Sequence, residues 1–234
     1  MSVARIWQSA DVAKGYLEGT RAAIPLATQQ IDVMLRLLRA ARPVRRFLDL
    51  GCGDAVLAAA VLSESPDAEA VCLDFSDEML AAARRRLPNA HVLAVDYGAP
   101  AWTAAVAQWS PFDAIVSGFS IHHQPDDRKR ALYAELLSML APGGLFLNLE
   151  HVQSPSGWVE AVHDDLFIDC LHAHRGNVPR TAIAESYHGR ADKAANILAP
   201  VDKQVEWLRE LGFRDADCYF KIFELSVFGG RKGD

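Results

Sequence analysis

The sequence is short of three things, and each shortage closes off a class of protein. No apolar run reaches the ~18–20 residues that a membrane-spanning helix needs, and the opening MSVARIWQSADVAKG lacks the long apolar core of a secretory leader. A cytoplasmic protein with no membrane partner is the expectation. The four cysteines, Cys52, Cys72, Cys170 and Cys218, are scattered and mostly lie inside apolar runs, with no C-x-x-C pair for zinc or redox chemistry. They read as buried small hydrophobes. Positive charge is not in excess either: a net charge of -6 and a pI near 5.7 give no basic field to a phosphate backbone, which disfavours nucleic acid as a partner.

What is present is enough for one large domain, or a domain with an inserted cap. Of the 234 residues 50% are hydrophobic and 23% charged, the balance of a globular chain with a sizeable core. Residues 24–41 carry Ile24, Ala27, Ile31, Met34, Leu35 and Leu38 at the three- and four-residue spacing of a helix. Pro43 punctuates the chain, and residues 44–50 read as a first strand. Short apolar runs at 70–73, 91–95, 112–117 and 145–149 then alternate with helical patterns at 55–62, 77–87, 101–109 and 128–140. That alternation is the signature of a parallel sheet covered on both faces. Residues 201–211 read as a helix stopped by Gly212, and 216–221 and 224–228 as two strands joined too tightly to pair in any way but antiparallel.

One segment stands outside the alternation. Residues 151–200 hold His151, His163, His172, His174 and His188 together with Arg175, Arg180 and Arg190. They read as a lid on the sheet's carboxyl edge, where open α/β sheets bind ligands. Within it Val159, His163, Leu166, Cys170 and His174 share one helical face. The expected organisation is an N-terminal helical segment (1–43), a core (44–150), a lid or substrate-binding insertion (151–200) and a closing helix and strand pair (201–234).

The stretch FLDLGCGDAVL passes from strand through glycines into helix, the context in which a glycine-rich turn brings backbone close to a ligand. Twenty-three residues after Gly51 comes Asp74, at the end of the second strand, where an acid accepts hydrogen bonds from two ribose hydroxyls. An adenosine-containing cofactor is implied. The full G-x-G-x-x-G is absent, because Ala55 and Val56 stand where a third glycine is placed, and G-x-x-x-x-G-K-[ST] is absent too. Asp49 and Asp54 flank the loop, and two carboxylates there would repel a pyrophosphate and suit a cationic cofactor.

With VCLDFSDEMLAAARRRL, VLAVDYGAP, FDAIVSGFSIHH and LLSMLAPGGLFLNLE following in order, residues 44–150 resemble the class I S-adenosylmethionine-dependent methyltransferases, particularly their small-molecule branch. The resemblance implies an α/β fold: a Rossmann-like seven-stranded mixed sheet, mostly parallel with an antiparallel last strand, helices on both faces and a helical lid insertion. It implies S-adenosylmethionine as cofactor, leaving S-adenosylhomocysteine (SAH) as product. Asp49, Gly51 and Gly53 would lie along the methionine part and Asp74 would hold the ribose. Phe75 and Met79 would pack on the adenine, with Asp96 and Tyr97 beside it, and Ser117 with its neighbours would border the reacting methyl. Asp113 and Pro142-Gly143-Gly144 read as structural.

A sulfonium methyl is already electrophilic, so transfer needs alignment more than covalent help, and a base only where the acceptor must lose a proton. His122 and Glu150, with neighbours His123 and His151, are the candidate bases. Tyr16, His163 and Arg175 are candidate substrate contacts, and Trp7 and Tyr16 could fold over the cofactor. A metal site is not expected, because no set drawn from His163, His174, Glu150 and Asp164 has a known ligand spacing. The expected activity is methyl transfer to a small molecule, with a carboxylic acid as the acceptor class. RNA methylation, use of a carboxylated cofactor, a non-catalytic S-adenosylmethionine or SAH sensor and a nicotinamide dehydrogenase are the competing readings. No N-P-P-[YF] tetrapeptide or added basic domain favours the first of these. The sequence assigns no oligomeric state.

Overall fold

The seven apolar runs become the strands of one sheet in the computed structural model, which describes residues 23–190 and 193–234. The strands are β1 (Arg46–Leu50), β2 (Glu69–Asp74), β3 (His91–Ala94), β4 (Phe112–Gly118), β5 (Leu140–His151), β6 (Arg214–Ile222) and β7 (Leu225–Arg231). Their order across the sheet is β3-β2-β1-β4-β5-β7-β6. The pairs among β1 to β5 are parallel, whereas β7 runs antiparallel to both β5 and β6. Chain order reverses beside β1: the chain proceeds outward from β1 to β2 and β3, then returns to β4 on the other side. The crevice between the ends of β1 and β4 is where such sheets take ligands.

Because successive strand residues point to opposite faces, each apolar run feeds two cores at once. Leu48, Leu50, Val71, Leu73, Ile115, Phe146 and Phe228 face one side, with Leu132, Tyr133 and Leu136 of α4 (Asp126–Met139) and Val205 and Leu208 of α7 (Val201–Leu211). Phe47, Cys72, Ala114, Val116, Leu147 and Val227 face the other. They meet Met34 and Leu38 of α1 (Ala27–Ala40), Leu57, Ala58 and Val61 of α2 (Val56–Glu64), and Ala83 of α3 (Asp77–Arg86). Asp77 and Glu78 in the first turn of α3 and Arg84, Arg85 and Arg86 in its last complement the helix dipole. Gly212, at φ 99°, ends α7 in the left-handed conformation its position suggested.

Residues 101–109 depart from the expected α-helix. They form two short 3-10 turns, Trp102–Ala105 and Ala107–Trp109, closed by bonds such as Val106 N to Thr103 O at 3.2 Å. Tertiary anchoring decides this: Trp102 is buried and its Nε1 donates to Glu135 Oε2 at 2.6 Å. The same glutamate takes a two-pronged bond from Arg128, whose Nη2 also donates to the carbonyl of Tyr97 at 2.6 Å. The tighter helix lets the chain meet these fixed points.

Between β5 and α7 lie α5 (Gly157–Arg175), capped by Ser156 Oγ accepting from Val159 N, and α6 (Arg180–His188). Phe167, Ile168, Leu171, Ile183 and Tyr187 form a small apolar cluster of their own with Ala23. The buried face of α5 is thus rotated from the expected one. His163 is buried, but Asp164, Phe167, Ile168 and Leu171 accompany it, while Leu166 and Cys170 are half-buried and His174 is exposed. Packing against α6 sets the rotation, which residues 157–175 alone do not encode.

Phe146 is fully buried with its ring centroid 5.6 Å from that of Tyr133 and 6.1 Å from that of Phe213, joining β5 to α4 and to the segment after α7. Phe146→Ala should cost about 3–5 kcal/mol of unfolding free energy in urea titration. A loss below about 1 kcal/mol would mean that this core is loosely packed.

Candidate active site

Beyond the carboxyl ends of β1, β2, β3 and β4 the loops surround a cavity of about 430 Å³. Gly51 is its hinge. The residue sits at φ 66°, a left-handed conformation, and a Cβ on it would fall 1.9 Å from Ser120 Oγ in the loop after β4. Only glycine meets both conditions. Ser120 Oγ is in turn 2.6 Å from Tyr97 OH, in the loop after β3. Asp74, the last residue of β2, then ties the first two loops together. Its Oδ2 accepts from Gly53 N and its Oδ1 from Ser76 N, both at 2.9 Å. Burial raises the Asp74 pKa, and these bonds oppose the rise without cancelling it.

Asp49 lies beneath the glycine loop, 1% exposed, with Oδ2 accepting from Ala58 N of α2 at 2.9 Å. Asp54 is elsewhere. Its carboxylate pairs with Arg86 Nη2 at 2.7 Å and does not line the cavity. The expectation of two carboxylates crowding the ligand therefore fails: one of them is neutralised against α3 and only Asp49 faces the cavity. Ala55, at the place of the third glycine, has φ 61° and caps α2. The turn keeps a glycine-like backbone with an alanine in it.

Residues 47–144 match the family model described as a methyltransferase domain. This stretch belongs to the class I S-adenosylmethionine-dependent methyltransferases. A trans-aconitate 2-methyltransferase of Acidovorax sp. (strain JS42) is 31% identical over 161 residues, 67% of this chain and 53% of that protein. The chain spans about half the length of the curated relatives it matches. An O-methyltransferase family protein from Burkholderia thailandensis superposes with a TM-score of 0.66 at 15% identity, over 98% of this chain and 62% of that one. PigF with SAH gives a TM-score of 0.61 at 16% identity, over 99% of this chain and 63% of that one. Both show that the methyltransferase fold extends over nearly the whole chain.

The cavity suits that family's cofactor on three counts. Gly51, with no side chain, presents bare loop backbone to the cavity. Asp74 keeps acceptor capacity on both oxygens beyond the two N–H donors it already holds. Gln30 of α1, fully buried, donates to Pro25 O at 2.9 Å while its Oε1 has no hydrogen-bond partner among the described residues. An acceptor buried in this way costs about 1–3 kcal/mol unless a ligand satisfies it.

Of the residues singled out from the sequence, Asp49, Gly51, Gly53, Asp74, Phe75, Met79, Asp96 and Tyr97 line the cavity. Ser117 does not: it is fully buried and its Oγ donates to Leu50 O at 2.7 Å, while the next three residues, Gly118, Phe119 and Ser120, form the wall. His122 and Glu150 lie behind that wall. Glu150 accepts from His122 N at 3.0 Å, His122 Nδ1 at 2.5 Å, His151 N at 2.9 Å and Asn148 Nδ2 at 3.3 Å. His123, whose ring lies 3.9 Å from that of His122, is the histidine of the pair that reaches the cavity. His163 and Arg175 line no part of it, and Arg175 is exposed at the end of α5. Trp7 and Tyr16 lie outside the described residues. Ser120, Gln124 and Gln30 are lining residues that sequence reasoning missed. Ser120 had a signal in FSIHH, but Gln30 sits in the first turn of α1 with nothing local to mark it.

Burial holds the His123 pKa down at about 2, well below the ordinary 6.5, with His122 adding to the effect. Below pH 6.5 the unfolded chain therefore takes up a proton that the folded chain refuses. The stability this residue contributes is complete above pH 6.5 and falls as pH drops toward 2. Between pH 6.5 and about pH 4.5 the loss should be about 2–3 kcal/mol. His123→Gln should flatten the pH dependence of the urea midpoint by that amount, and equal slopes in the two proteins would contradict a neutral, buried His123.

Proposed function

We propose that the protein transfers a methyl group from S-adenosylmethionine to a small-molecule carboxylic acid. The state of His123 carries the choice of acceptor. A hydroxyl or ring carbon needs a base to remove its proton. The histidine on the cavity wall is almost without basicity at neutral pH, and His122 and Glu150 are spent on each other behind it. A carboxylate arrives as a nucleophile already and needs no base. The trans-aconitate 2-methyltransferases among the relatives support the same acceptor class.

On this reading the bound cofactor supplies an electrophilic sulfonium methyl. Asp74 accepts from the two ribose hydroxyls, and Asp49, through the glycine loop, faces the ammonium end. Phe75 and Met79 flank the adenine, with Asp96 and Tyr97 at its edge. Gly118, Phe119 and Ser120, which Ser117 holds in place from behind, border the methyl. Ser120 and Gln124 offer hydrogen-bond donors to the acceptor's oxygens. His122 and Glu150 are positioning residues: their mutual bonds hold the turn Ile121–His123 against the end of β5. Alignment at near-attack distance supplies the acceleration.

Two measurements test this proposal. Asp74→Ala should weaken SAH binding in calorimetry by about 100-fold, as expected for losing two bonds to a charged acceptor, with circular dichroism unchanged. Undiminished affinity in the folded variant would mean that the end of β2 has been misread. Labelled S-adenosylmethionine offered with a panel of di- and tricarboxylates, phenols and amines should label a carboxylate as a base-labile ester. Labelling of phenols alone would overturn the acceptor class, and binding without turnover on a broad panel would point to a sensor.

A further inference from the structure

His151, His163 and Glu224 take no part in the cavity, yet they converge from three elements. His151 ends β5, His163 lies on α5, and Glu224 sits in the tight turn between β6 and β7. His151 Nε2 donates to Glu224 Oε2 at 2.6 Å, His163 Nε2 is 3.7 Å from the same oxygen, and one ligating atom from each residue lies within 4.8 Å of the other two. We propose that these three side chains bind one divalent transition-metal ion of the zinc type, which fastens α5 to the end of the sheet.

Two imidazoles and a carboxylate are a donor set for a borderline cation. Bonds of about 2.0–2.2 Å in tetrahedral array put ligand atoms about 3.3 Å apart. The observed 2.6 and 3.7 Å straddle that value, so small side-chain rotations complete the site. Glu224 is 4% exposed, and its ion-pair partners among the described residues are the two histidines. A dication would neutralise this buried charge without requiring either ring to be protonated. Outer support is in place, since Ser154 Oγ donates to Glu224 Oε1 at 2.5 Å and the Phe167 ring meets His163 edge-on at 5.9 Å between centroids.

The cluster is also incomplete as a hydrogen-bond network. His163 is 1% exposed and its Nδ1 has no hydrogen-bond partner among the described residues. The placement gives the ion a structural task. His151 is in ring contact with His122, whose ring lies 3.9 Å from that of His123 on the cavity wall at a tilt of 53°, so three imidazole rings would separate the ion from the cavity. Because α5 packs chiefly on α6, the cluster is a direct tie from that helix pair to the sheet.

The test is titration of the chelator-treated full chain with Co²⁺, read by visible absorption and competed with Zn²⁺, with SAH affinity measured alongside. One Co²⁺ per chain with the bands of a low-coordinate site is expected. His163→Ala and Glu224→Gln should each weaken it at least about tenfold, the loss that even an outer-shell substitution causes. His172→Ala, on the same helix but outside the cluster, should bind as the wild type does. Unchanged SAH affinity in Glu224→Gln shows that the fold and the cofactor cavity survive, keeping this result independent of the proposed function. Absence of stoichiometric Co²⁺ binding, equal binding by the wild type, His163→Ala and Glu224→Gln, or an equal loss in His172→Ala would overturn the site.

Discussion

The close approach of Gly51 to Ser120 is the contact on which the cavity depends. Ser120 Oγ occupies the space that any side chain at position 51 would need, and through Tyr97 it links the loops after β1, β3 and β4. Asp74 adds the loop after β2 by holding Gly53 N and Ser76 N on its two oxygens. Four loops that each follow a parallel strand are thereby locked into one rim. The arrangement works because β1 lies between β2 and β4, so the turn that follows it is bounded by neighbours on both sides.

A second constraint is the cost of buried charge, which this chain meets differently at each site. Asp113 accepts from Arg45 N and Arg46 N and pairs with Arg42, tying the start of β1 to β4. Asp54 is paired with Arg86. Glu150 is surrounded by four donors, and Glu224 by two histidines and a serine. Lys129, fully buried, reaches Asp126 and the carbonyl of Ile197, which brings a cavity-lining residue of the 151–200 segment against α4. Asp74 carries the burden differently. Its raised pKa reflects a carboxyl whose burial outweighs the backbone N–H groups it holds.

The parts of the fold legible in the sequence share a common trait. Period-two strands buried on both faces, the glycine loop, the helix stop at Gly212 and the tight β6–β7 junction are all decided by the backbone within a few residues. Residues 101–109 were not legible, because buried Trp102 and Glu135, 33 positions along the chain and held by Arg128, draw that connection into 3-10 turns. Nor was the face of α5, which α6 selects, or the choice between His122 and His123, which four hydrogen bonds to Glu150 make. The charge argument at the glycine loop erred for the same reason: Arg86, which removes Asp54 from the cavity, is 32 residues away.

The sequence by itself determined the alternation of strand and helix, the left-handed turn that only a residue like Gly51 accepts, and an acid at the end of β2. Those follow from local sterics and side-chain period, which act wherever the residues are. Only the tertiary structure decided that Ser117 faces Leu50 while Ser120 faces the cavity, that His123 is stripped of its basicity by burial, and that His151, His163 and Glu224 meet. These depend on desolvation and on contacts between elements as distant as β5 and the β6–β7 turn, and such contacts exist only once the sheet order has brought their owners together.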